Sequence, residues 1–409
     1  MSCLSSSVKE LLDAHIGIEK EVYLDIENSS PVPNEVLEAM LPYFNQKSYG
    51  NPTLTHKPGW EAYETIIESA QKIASFLGAS NPEEVNFTPG ETEANNLAIM
   101  GTVLKKGKGK IVVSEIEPLS ILHVCDMLEK RGMKTVKVSV DNEGFVNLEE
   151  LEEKIDNETV MVSLAAVNSE IGTVQPIKEA LEIAKDKNPN VVFHTDLSDA
   201  YGKIPFDVSK IEVDLATLCS YKILGPRGIG ALYVREGTKI ERIIEGQIGT
   251  QKLWPGVENT PLIVGFCRAS ELMFENFERN VAHMKKLRNM LINGILTNIE
   301  DTILNGPSPS DKRAPDNVNI SFLRCEGESL TMELSFKGVY VSSGSACTRR
   351  VLQPSHVLTA IGRAFEEAHG SILMKVTRYH AEDDVKYVLK VLPEAVGRLR
   401  KIYGSMGES

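Results

Sequence analysis

The sequence predicts an α/β protein in which helices cover a mostly parallel sheet. Between about residues 110 and 235, short runs rich in β-branched residues recur, and most of them are separated by stretches of helical character. The runs are apolar at successive positions, so both faces of each strand are expected to be buried, as is typical of parallel sheets between helix layers. The predicted strands are, in order, KIVVSEI, TVKVSV, TVMVSLAAV, NVVFHTD, VDLATLC and GALYV.

The helical stretches have apolar residues at spacings of three and four. Residues 119–131 and 176–188 lie between predicted strands in this way. A longer helix is predicted over residues 60–78, where Gly78 is a typical stop. Its expected apolar face consists of Tyr63, Ile66, Ile67, Ala70, Ile73, Ala74 and Leu77.

The pattern changes in the C-terminal third of the chain. A long polar helix is predicted over residues 268–297, followed by the runs NVNISFL, LTMELSF and VYVSS and by a closing helix from about residue 382. This order indicates a smaller α+β domain. We therefore expect an N-terminal segment (1–30) that packs on the small domain, a large α/β domain (31–265) and a small C-terminal domain (266–409).

Composition places the chain among ordinary globular proteins. Its 409 residues are 42% hydrophobic, enough to bury a large core, and the net charge of −13 argues against nucleic acid or an anionic membrane surface as the main partner. No apolar run approaches the roughly 20 residues of a membrane span, and MSCLSSSVKELL lacks the features of a signal peptide. We expect a cytoplasmic protein. The six cysteines include no C-x-x-C pair, so neither a disulfide framework nor a zinc site is expected.

Two charged residues follow predicted strands. Asp196 ends the run NVVFHTD, and Lys222 comes shortly after VDLATLC. Ligands of open parallel sheets bind at the carboxyl ends of strands, so both side chains are expected in one crevice. The loop FTPGETEANN adds a helix start with Thr92, where backbone N–H groups suit a phosphate. An amine, a carboxylate and a phosphate site together suit pyridoxal phosphate, whereas an N-capped helix and two ordinary charges are the alternative interpretation.

A series of motifs runs through nearly the whole chain, from about residue 21 to 395. They are, in order, VYLDIENSSPVPNEVLEAMLPYF, GNPTLTHKPG, NFTPGETEANNLAIMG, VNSEIGTVQPI, FHTD, AYGKIP, YKILGPRGIGALYV, GVENTPLIVGF, VSSGSACT and SHVLTAIG. Their number and order resemble those of the pyridoxal-phosphate cysteine desulfurases of the NifS/IscS type, within the aminotransferase class V family. The resemblance implies the type I fold of pyridoxal-phosphate enzymes, with a seven-stranded, mostly parallel sheet covered by helices and a smaller α+β domain.

The resemblance also implies roles for individual residues. Lys222 is expected to form the Schiff base with pyridoxal 5'-phosphate, and Asp196 to pair with the pyridine nitrogen. Glu91 and Thr92 fall in the family's phosphate loop, and Asn168 falls where an asparagine contacts the 3-oxygen of the ring.

Cys347, in SSGSACT, matches the family's nucleophile on a mobile loop. Such a thiol takes sulfur from bound cysteine and becomes a persulfide, and the loop carries it toward an acceptor. The alternative is a small buried hydrophobe, which is the usual fate of a free cysteine. The surrounding serines and Gly344 favour an exposed loop.

Two departures concern the cofactor ring. Pro118 stands where the family commonly has a histidine stacked on the ring, and His123 lies one helical turn further on as a partial substitute. Asp199 stands where the family has a glutamine that contacts the ring 3-oxygen. A carboxylate there would repel a phenolate unless it is protonated or turned away.

Further departures concern the phosphate. The family's Ser-x-His-Lys reads Cys219, Ser220, Tyr221 and Lys222, so a hydroxyl and an imidazole are both changed, although tyrosine still donates one hydrogen bond. Val257 stands where a threonine reaches the phosphate across the dimer interface. We expect a weaker set of phosphate contacts.

The substrate clamp is also altered. Leu373 stands where the family's C-terminal strand carries an arginine that binds the substrate carboxylate. Strand alternation puts Lys375 on the same face and Arg378 on the other. We therefore expect cysteine to bind poorly unless Lys375 replaces the arginine.

Three functions remain open at this point. The first is a cysteine desulfurase that converts L-cysteine to L-alanine and passes persulfide sulfur to an acceptor or an iron–sulfur scaffold protein. The second is a pyridoxal-phosphate lyase or transferase with a different amino-acid substrate. The third is a catalytically weakened paralogue that acts as a scaffold or passive sulfur carrier through Cys347. The resemblance implies a homodimer in each case.

Overall fold

A computed structural model describes residue 18, residues 20–344 and residues 354–406 of the chain. Two compact units are present. The first contains the described residues up to Asn28, Glu170–Gly172 and those from Val281 onward, and the second contains Ser29–Ser169 and Thr173–Asn280. The division into segments 1–30, 31–265 and 266–409 rests on chain pattern and stays a prediction.

Thirteen strands and thirteen helices lie in the described residues. The strands are β1 (Val22–Tyr23), β2 (Val85–Thr88), β3 (Lys110–Ser114), β4 (Lys134–Val138), β5 (Thr159–Ala165), β6 (Val192–Asp196), β7 (Leu215–Cys219), β8 (Gly230–Val234), β9 (Thr302–Leu304), β10 (Asn317–Phe322), β11 (Val339–Tyr340), β12 (Ser342–Ser343) and β13 (Ser371–Lys375). The helices are α1 (Asn34–Met40), α2 (Pro42–Asn45), α3 (Lys57–Leu77), α4 (Glu91–Lys106), α5 (Leu119–Glu129), α6 (Leu148–Lys154), α7 (Ile177–Lys187), α8 (Thr260–Phe274), α9 (Phe277–Asn298), α10 (Gly327–Ser335), α11 (His356–Ala360), α12 (Phe365–His369) and α13 (Glu382–Met406).

The second unit is built on a seven-stranded sheet with the order β2-β8-β7-β6-β5-β3-β4. Strand β8 is antiparallel to both of its neighbours, and the other neighbouring pairs are parallel. Four of the seven strands, β2, β3, β6 and β7, are buried at every residue, since helices supply apolar side chains against the sheet. All six runs predicted as strands form strands of this sheet, and the predicted α/β class is confirmed.

Helix α3 shows why the apolar pattern is only partly a guide to burial. Ile66, Ala70 and Ile73 are buried as expected, and the helix stops at Gly78, whose φ of 79° suits glycine. Tyr63, which the spacing assigned to the same face, is half exposed. It is adjacent around the helix to Trp60, which is also exposed, so the apolar residues of α3 extend beyond its buried stripe.

The first unit contains a four-stranded antiparallel sheet with the order β12-β13-β10-β9 and the short parallel pair β1-β11. The run LTMELSF does not form a strand but lies mostly in α10, because Leu330 and Leu334 are both buried at a helical spacing of four. Glu326 caps the start of this helix by accepting two backbone N–H groups.

The predicted helix over residues 268–297 is in fact two helices. Helix α8 ends at Phe274, and α9 begins at Phe277. The Asn280 side chain donates to the carbonyl oxygens of Leu272 and Met273, which supplies partners to the last carbonyls of α8. A side-chain cap of this kind is invisible to a periodicity argument, because apolar spacing continues on both sides of the break.

Two structural features are absent from the part of the chain that the structure describes. None of the helices in this part of the chain combines the length and apolar character that a membrane span needs. The same residues contain no group of three or more His, Cys, Asp or Glu side chains placed to hold a metal ion.

Candidate active site

Asp196 and Lys222 lie at the carboxyl ends of neighbouring strands in the second unit. Asp196 is the last residue of β6, and Lys222 lies in the short helical turn Tyr221–Ile223 that follows β7. The chain leaves this turn through Leu224, which has a positive φ of 68°. The two residues are therefore at the edge of the sheet where ligands of open parallel sheets bind.

The Lys222 amine is surrounded by carboxylates. Its Nζ donates to Asp199 Oδ2 at 2.6 Å and lies 3.2 Å from Glu91 Oε2. Lys222 and Asp199 are both buried, and Glu91 is half-buried in the first turn of α4. A buried ammonium needs such partners, because removing it from water is costly unless it is paired and hydrogen-bonded.

A second lysine completes this cluster. Lys203 Nζ lies 3.6 Å from Asp199 Oδ1, one helical turn along the chain, and both side chains are only 4% exposed. Asp199 therefore lies between two cations, Lys203 and Lys222. These two ammonium groups balance the Asp199 charge. The repulsion expected between a carboxylate at this position and the cofactor phenolate is therefore reduced.

Asp196 is fixed by donors of its own. Its Oδ2 accepts from Asn95 Nδ2 at 2.7 Å and its Oδ1 accepts from the backbone N–H of Ser198 at 2.8 Å. Asn95 lies one turn into α4 and also donates to Ser120 Oγ on α5 at 2.9 Å. Burial raises the pKa of Asp196, while the Lys222 ammonium and the two hydrogen bonds oppose that rise.

Glu117 is a buried acid that the sequence did not single out. Its Oε1 accepts from Ser114 Oγ at 2.6 Å, and its Oε2 accepts from the N–H of Ala165, which pairs with Asp196 across the sheet. Burial raises the pKa of Glu117 to about 8, and the nearby Asp196 charge adds to the rise. Its position after β3 and directly before Pro118 was the only available sequence signal.

His194, on β6, contacts side chains of both neighbouring strands. One ring nitrogen lies 2.8 Å from Ser163 Oγ on β5, and the other lies 3.0 Å from Thr217 Oγ1 on β7. Burial lowers the pKa of His194 to about 3, so the ring is neutral. This pair of contacts links β6, which ends at Asp196, to β7, which leads into the turn that holds Lys222.

The other residues expected at the cofactor have mixed placements. Asn168 is buried and donates to the Ile116 carbonyl at 2.9 Å, while Thr92 is exposed in the first turn of α4. The Tyr221 carbonyl accepts from Ser30 Oγ at 2.7 Å. Cys219 and Ser220 are fully buried, and burial raises the pKa of the Cys219 thiol.

Other sequence expectations lie away from this cluster or outside the described residues. Pro118 precedes α5 as its cap residue, and His123 is exposed on that helix, so no contact supports it as a substitute for a stacked ring. The Val257 side chain is 66% exposed. Cys347 lies outside the described residues.

The substrate-clamp positions belong to the first unit. Leu373 is buried in β13, where it pairs with Asn319 of β10. Lys375 is buried on the same strand, and its amine forms an ion pair with Glu27. The Lys375 amine is thus already bound to a carboxylate of its own unit.

The second unit fits pyridoxal phosphate on three observations. It has a buried amine and a fixed carboxylate at one sheet edge, and α4 begins at Gly90 without a side-chain cap, leaving first-turn N–H groups for a phosphate. An amine, a carboxylate and a set of N–H donors are the groups that an aldehyde, a protonated ring nitrogen and a phosphate need.

Comparison with known proteins places the chain among sulfur-transferring enzymes. The family model described as aminotransferase class-V matches residues 22–388. The cysteine desulfurase IscS 1 of Archaeoglobus fulgidus is 41% identical over 382 residues, which are 93% of this chain and 98% of that protein. The mitosomal cysteine desulfurase of Encephalitozoon cuniculi is 41% identical over 390 residues, which are 94% of this chain and 88% of that protein.

Solved structures have the same fold. A structure described as a NifS-like protein has a TM-score of 0.86 and 34% identity, covering 93% of this chain and all of that one. A structure described as SspA in complex with cysteine has a TM-score of 0.75 and 31% identity, covering 88% and 99%. With the family model matching nearly its whole length, the chain belongs to the aminotransferase class-V family, among the relatives of the IscS and NifS cysteine desulfurases.

Proposed function

We propose that this protein is a pyridoxal-phosphate cysteine desulfurase, which takes sulfur from L-cysteine and leaves L-alanine. The observation that carries the proposal is the buried Lys222 amine beside the fixed Asp196 carboxylate, at adjacent strand ends of a fold shared with cysteine desulfurases. The relatives named as cysteine desulfurases support the reaction assignment.

Each candidate site residue of the second unit has a defined role in this proposal. Lys222 joins the cofactor aldehyde, and Asp196 holds a proton on the ring nitrogen. The backbone N–H groups at the start of α4, at Glu91 and Thr92, receive the phosphate, and Asn168 faces the ring oxygen. When bound, the cofactor supplies an electron-withdrawing ring, which stabilises negative charge next to the substrate amine.

Cys347 is the proposed sulfur carrier. Thiolate is the nucleophilic form of cysteine, so Cys347 takes the substrate sulfur as a persulfide and delivers it to an acceptor or iron–sulfur scaffold protein. Incubation of the holoprotein with L-cysteine is expected to add one sulfur to Cys347 by mass spectrometry. Cys347→Ser is expected to stop sulfide release while the visible spectrum of the cofactor is retained.

The result that would remove the desulfurase assignment is a well-formed cofactor spectrum with no persulfide at Cys347 at any cysteine concentration. Cys125→Ser is the matched control, because Cys125 is buried on α5 and burial raises its pKa to about 12. This change is expected to leave persulfide formation intact.

One observation favours a second function, in which the same scaffold acts on a different amino acid. Leu373 is apolar and buried, and Lys375 is paired with Glu27, so neither presents an uncompensated cation to a carboxylate. Leu373→Arg is expected to lower the Michaelis constant for cysteine about tenfold, since a charged hydrogen bond contributes about 1.5 to 3 kcal/mol. A different preferred substrate, unaffected by this change, would favour the second function.

We also propose a homodimer. Leu41, Phe44, Trp60 and Tyr63, on or beside α1, α2 and the first turns of α3, are about half exposed or more. Exposed aromatic residues at this density are typical of protein interfaces. Sedimentation is expected to give a dimer at micromolar concentration, and Trp60→Asp to shift it toward monomer. A wild-type monomer at that concentration would contradict the proposal.

A further inference from the structure

The charges around Lys222 are unusually dense for a buried amine. Asp199 contacts its Nζ at 2.6 Å and Glu91 lies at 3.2 Å, and these carboxylates come from different parts of the unit, the segment after β6 and the start of α4. A single carboxylate would neutralise one ammonium. The Lys222 nitrogen is thus faced by two carboxylates, one of which, Asp199, also lies near Lys203.

We infer that Asp199, assisted by Glu91, holds a positive charge on the Lys222 nitrogen, both before and after that nitrogen joins the cofactor. The inference rests on the proposed function and concerns how this chain's acids tune the bond between lysine and cofactor. The joining step balances without a net proton: an ammonium and an aldehyde give a protonated Schiff base and one water.

The geometry determines the sign of the effect. An opposite charge within about 4 to 6 Å favours the charged form, and shifts of about 1 to 3 units are typical. Lys222 and Asp199 are only 3% and 4% exposed, so water screens their interaction poorly. Asp199 makes the shorter contact and is the more deeply buried acid, so it is expected to have the larger effect.

Other charged groups facing this nitrogen modify the effect. Asp196 and Cys219 interact electrostatically with Lys222, from β6 and β7, and burial opposes ionisation of both acids. Lys203, 3.6 Å from Asp199, offsets part of the Asp199 charge. Removing Lys203 should therefore act in the direction opposite to removing Asp199.

The consequence for the enzyme is the pH range of its reactive form. A protonated Schiff base carbon is more electrophilic toward the amine of an incoming substrate than a neutral one. The neutral glutamine found in the resembling family offers no charge for this purpose, whereas Asp199 does. This chain is thus expected to keep the protonated form to higher pH than a variant with an amide at position 199.

The test is a pH titration of the visible absorbance of the holoprotein, without substrate. Asp199→Asn, which preserves shape, is expected to lower the titration midpoint by about 1 to 3 pH units. Glu91→Gln is expected to lower it by less. Lys203→Gln is expected to raise it, because the Asp199 charge then acts without its second counter-ion.

Asp156→Asn is the matched control. Asp156 contacts Lys110 Nζ at 2.6 Å, the same separation as in the Asp199–Lys222 pair, but on the loop before β5. Asp156→Asn removes the same net charge as Asp199→Asn and is expected to leave the midpoint of the absorbance titration unchanged. A control shift as large as that of Asp199→Asn would mean that net charge alone is responsible and would overturn the inference.

The outcomes separate this inference from the proposed function. A reconstituted protein with no cofactor absorbance and no borohydride label on Lys222 contradicts both. A normal cofactor spectrum whose midpoint is the same in wild type, Asp199→Asn and Lys203→Gln overturns the inference alone. Where Asp199→Asn does not fold, the direction of the Lys203→Gln shift decides: a rise supports the inference, and no change or a fall overturns it.

Discussion

Two buried lysines, one in each unit, show how differently the same side chain is used. The Lys222 side chain in the second unit is 3% exposed and has two carboxylates, Asp199 and Glu91, within 3.2 Å of its amine. Lys375 in the first unit is 2% exposed and pairs with Glu27. Both obey the rule that a buried ammonium must be paired.

The difference lies in where the counter-charges come from. The Lys222 partners come from α4 and from the segment after β6, which meet at the strand ends. The Glu27–Lys375 pair joins the N-terminal segment to β13, and the backbone N–H of Lys375 donates to the Leu24 carbonyl at 2.8 Å beside it. A buried lysine alone does not indicate catalysis, and neither does a strand end, since Lys375 is the last residue of β13. The second carboxylate and the nearby Asp196 make Lys222 the candidate.

The largest expected effect is on covalent cofactor. Lys222→Ala is expected to abolish borohydride-trapped pyridoxal phosphate, because no other amine in the described residues stands at the end of β7 beside Asp196. Lys375→Ala is expected to retain the label. Peptide mapping by mass spectrometry measures both variants, and a label found on another lysine would reverse the comparison.

The next effect is on stability and differs between the two lysines. Glu27→Gln removes the carboxylate that pairs with the buried Lys375 ammonium and is expected to cost about 3 kcal/mol in the free energy of unfolding. Asp199→Asn is expected to cost less, about 1 to 3 kcal/mol, because Glu91 still faces Lys222. Urea unfolding measures both.

The double variant Glu27→Gln with Lys375→Met supplies the control for that measurement. It removes both charges, so most of the stability lost in Glu27→Gln is expected to return. If the double variant is less stable than Glu27→Gln, the two side chains do more than balance each other's charge, and the interpretation of this pair as a structural tie is wrong.

A further expected effect is the pH dependence that Glu117 contributes to stability. Its folded pKa of about 8 lies above the ordinary value of 4.5, so the folded state binds the extra proton between these limits. This stabilisation is complete below about pH 4.5 and is lost as the pH rises toward 8, with a slope of up to about 1.4 kcal/mol per pH unit.

Glu117→Gln is expected to remove this slope. Unfolding free energies measured between about pH 5.5 and 7.5 should fall less steeply with pH in the variant than in wild type. Glu115→Gln, an exposed glutamate two residues earlier, is expected to keep the wild-type slope. Equal slopes in all three proteins would show that Glu117 is ionised in the folded state at neutral pH.

Local pattern was sufficient for most of the large unit. Strand β3 and strands β5 to β8 are mostly apolar runs that can be buried on both faces, and this property is visible in the residues themselves. Strand β4 is the exception, because it lies at the sheet edge and exposes Lys134 and Lys137. LTMELSF was misleading because Leu330 and Leu334 suit a helix, while the run between them also has strand composition. The break after Phe274 depends on a side-chain cap, which periodicity does not encode.

The sequence by itself determined the fold class, the family resemblance and the two strand-end residues Asp196 and Lys222, because each depends on local composition or motif order. Only the tertiary structure decided which charges meet. Asn95 contacts Asp196 across 101 positions of the chain, and Glu27 pairs with Lys375 across 348. Such contacts depend on how helices and loops pack against strands. The position of a charged residue in the sequence does not indicate which distant residue it will pair with. For the same reason, the balance of carboxylates and ammonium groups around Lys222 follows from packing.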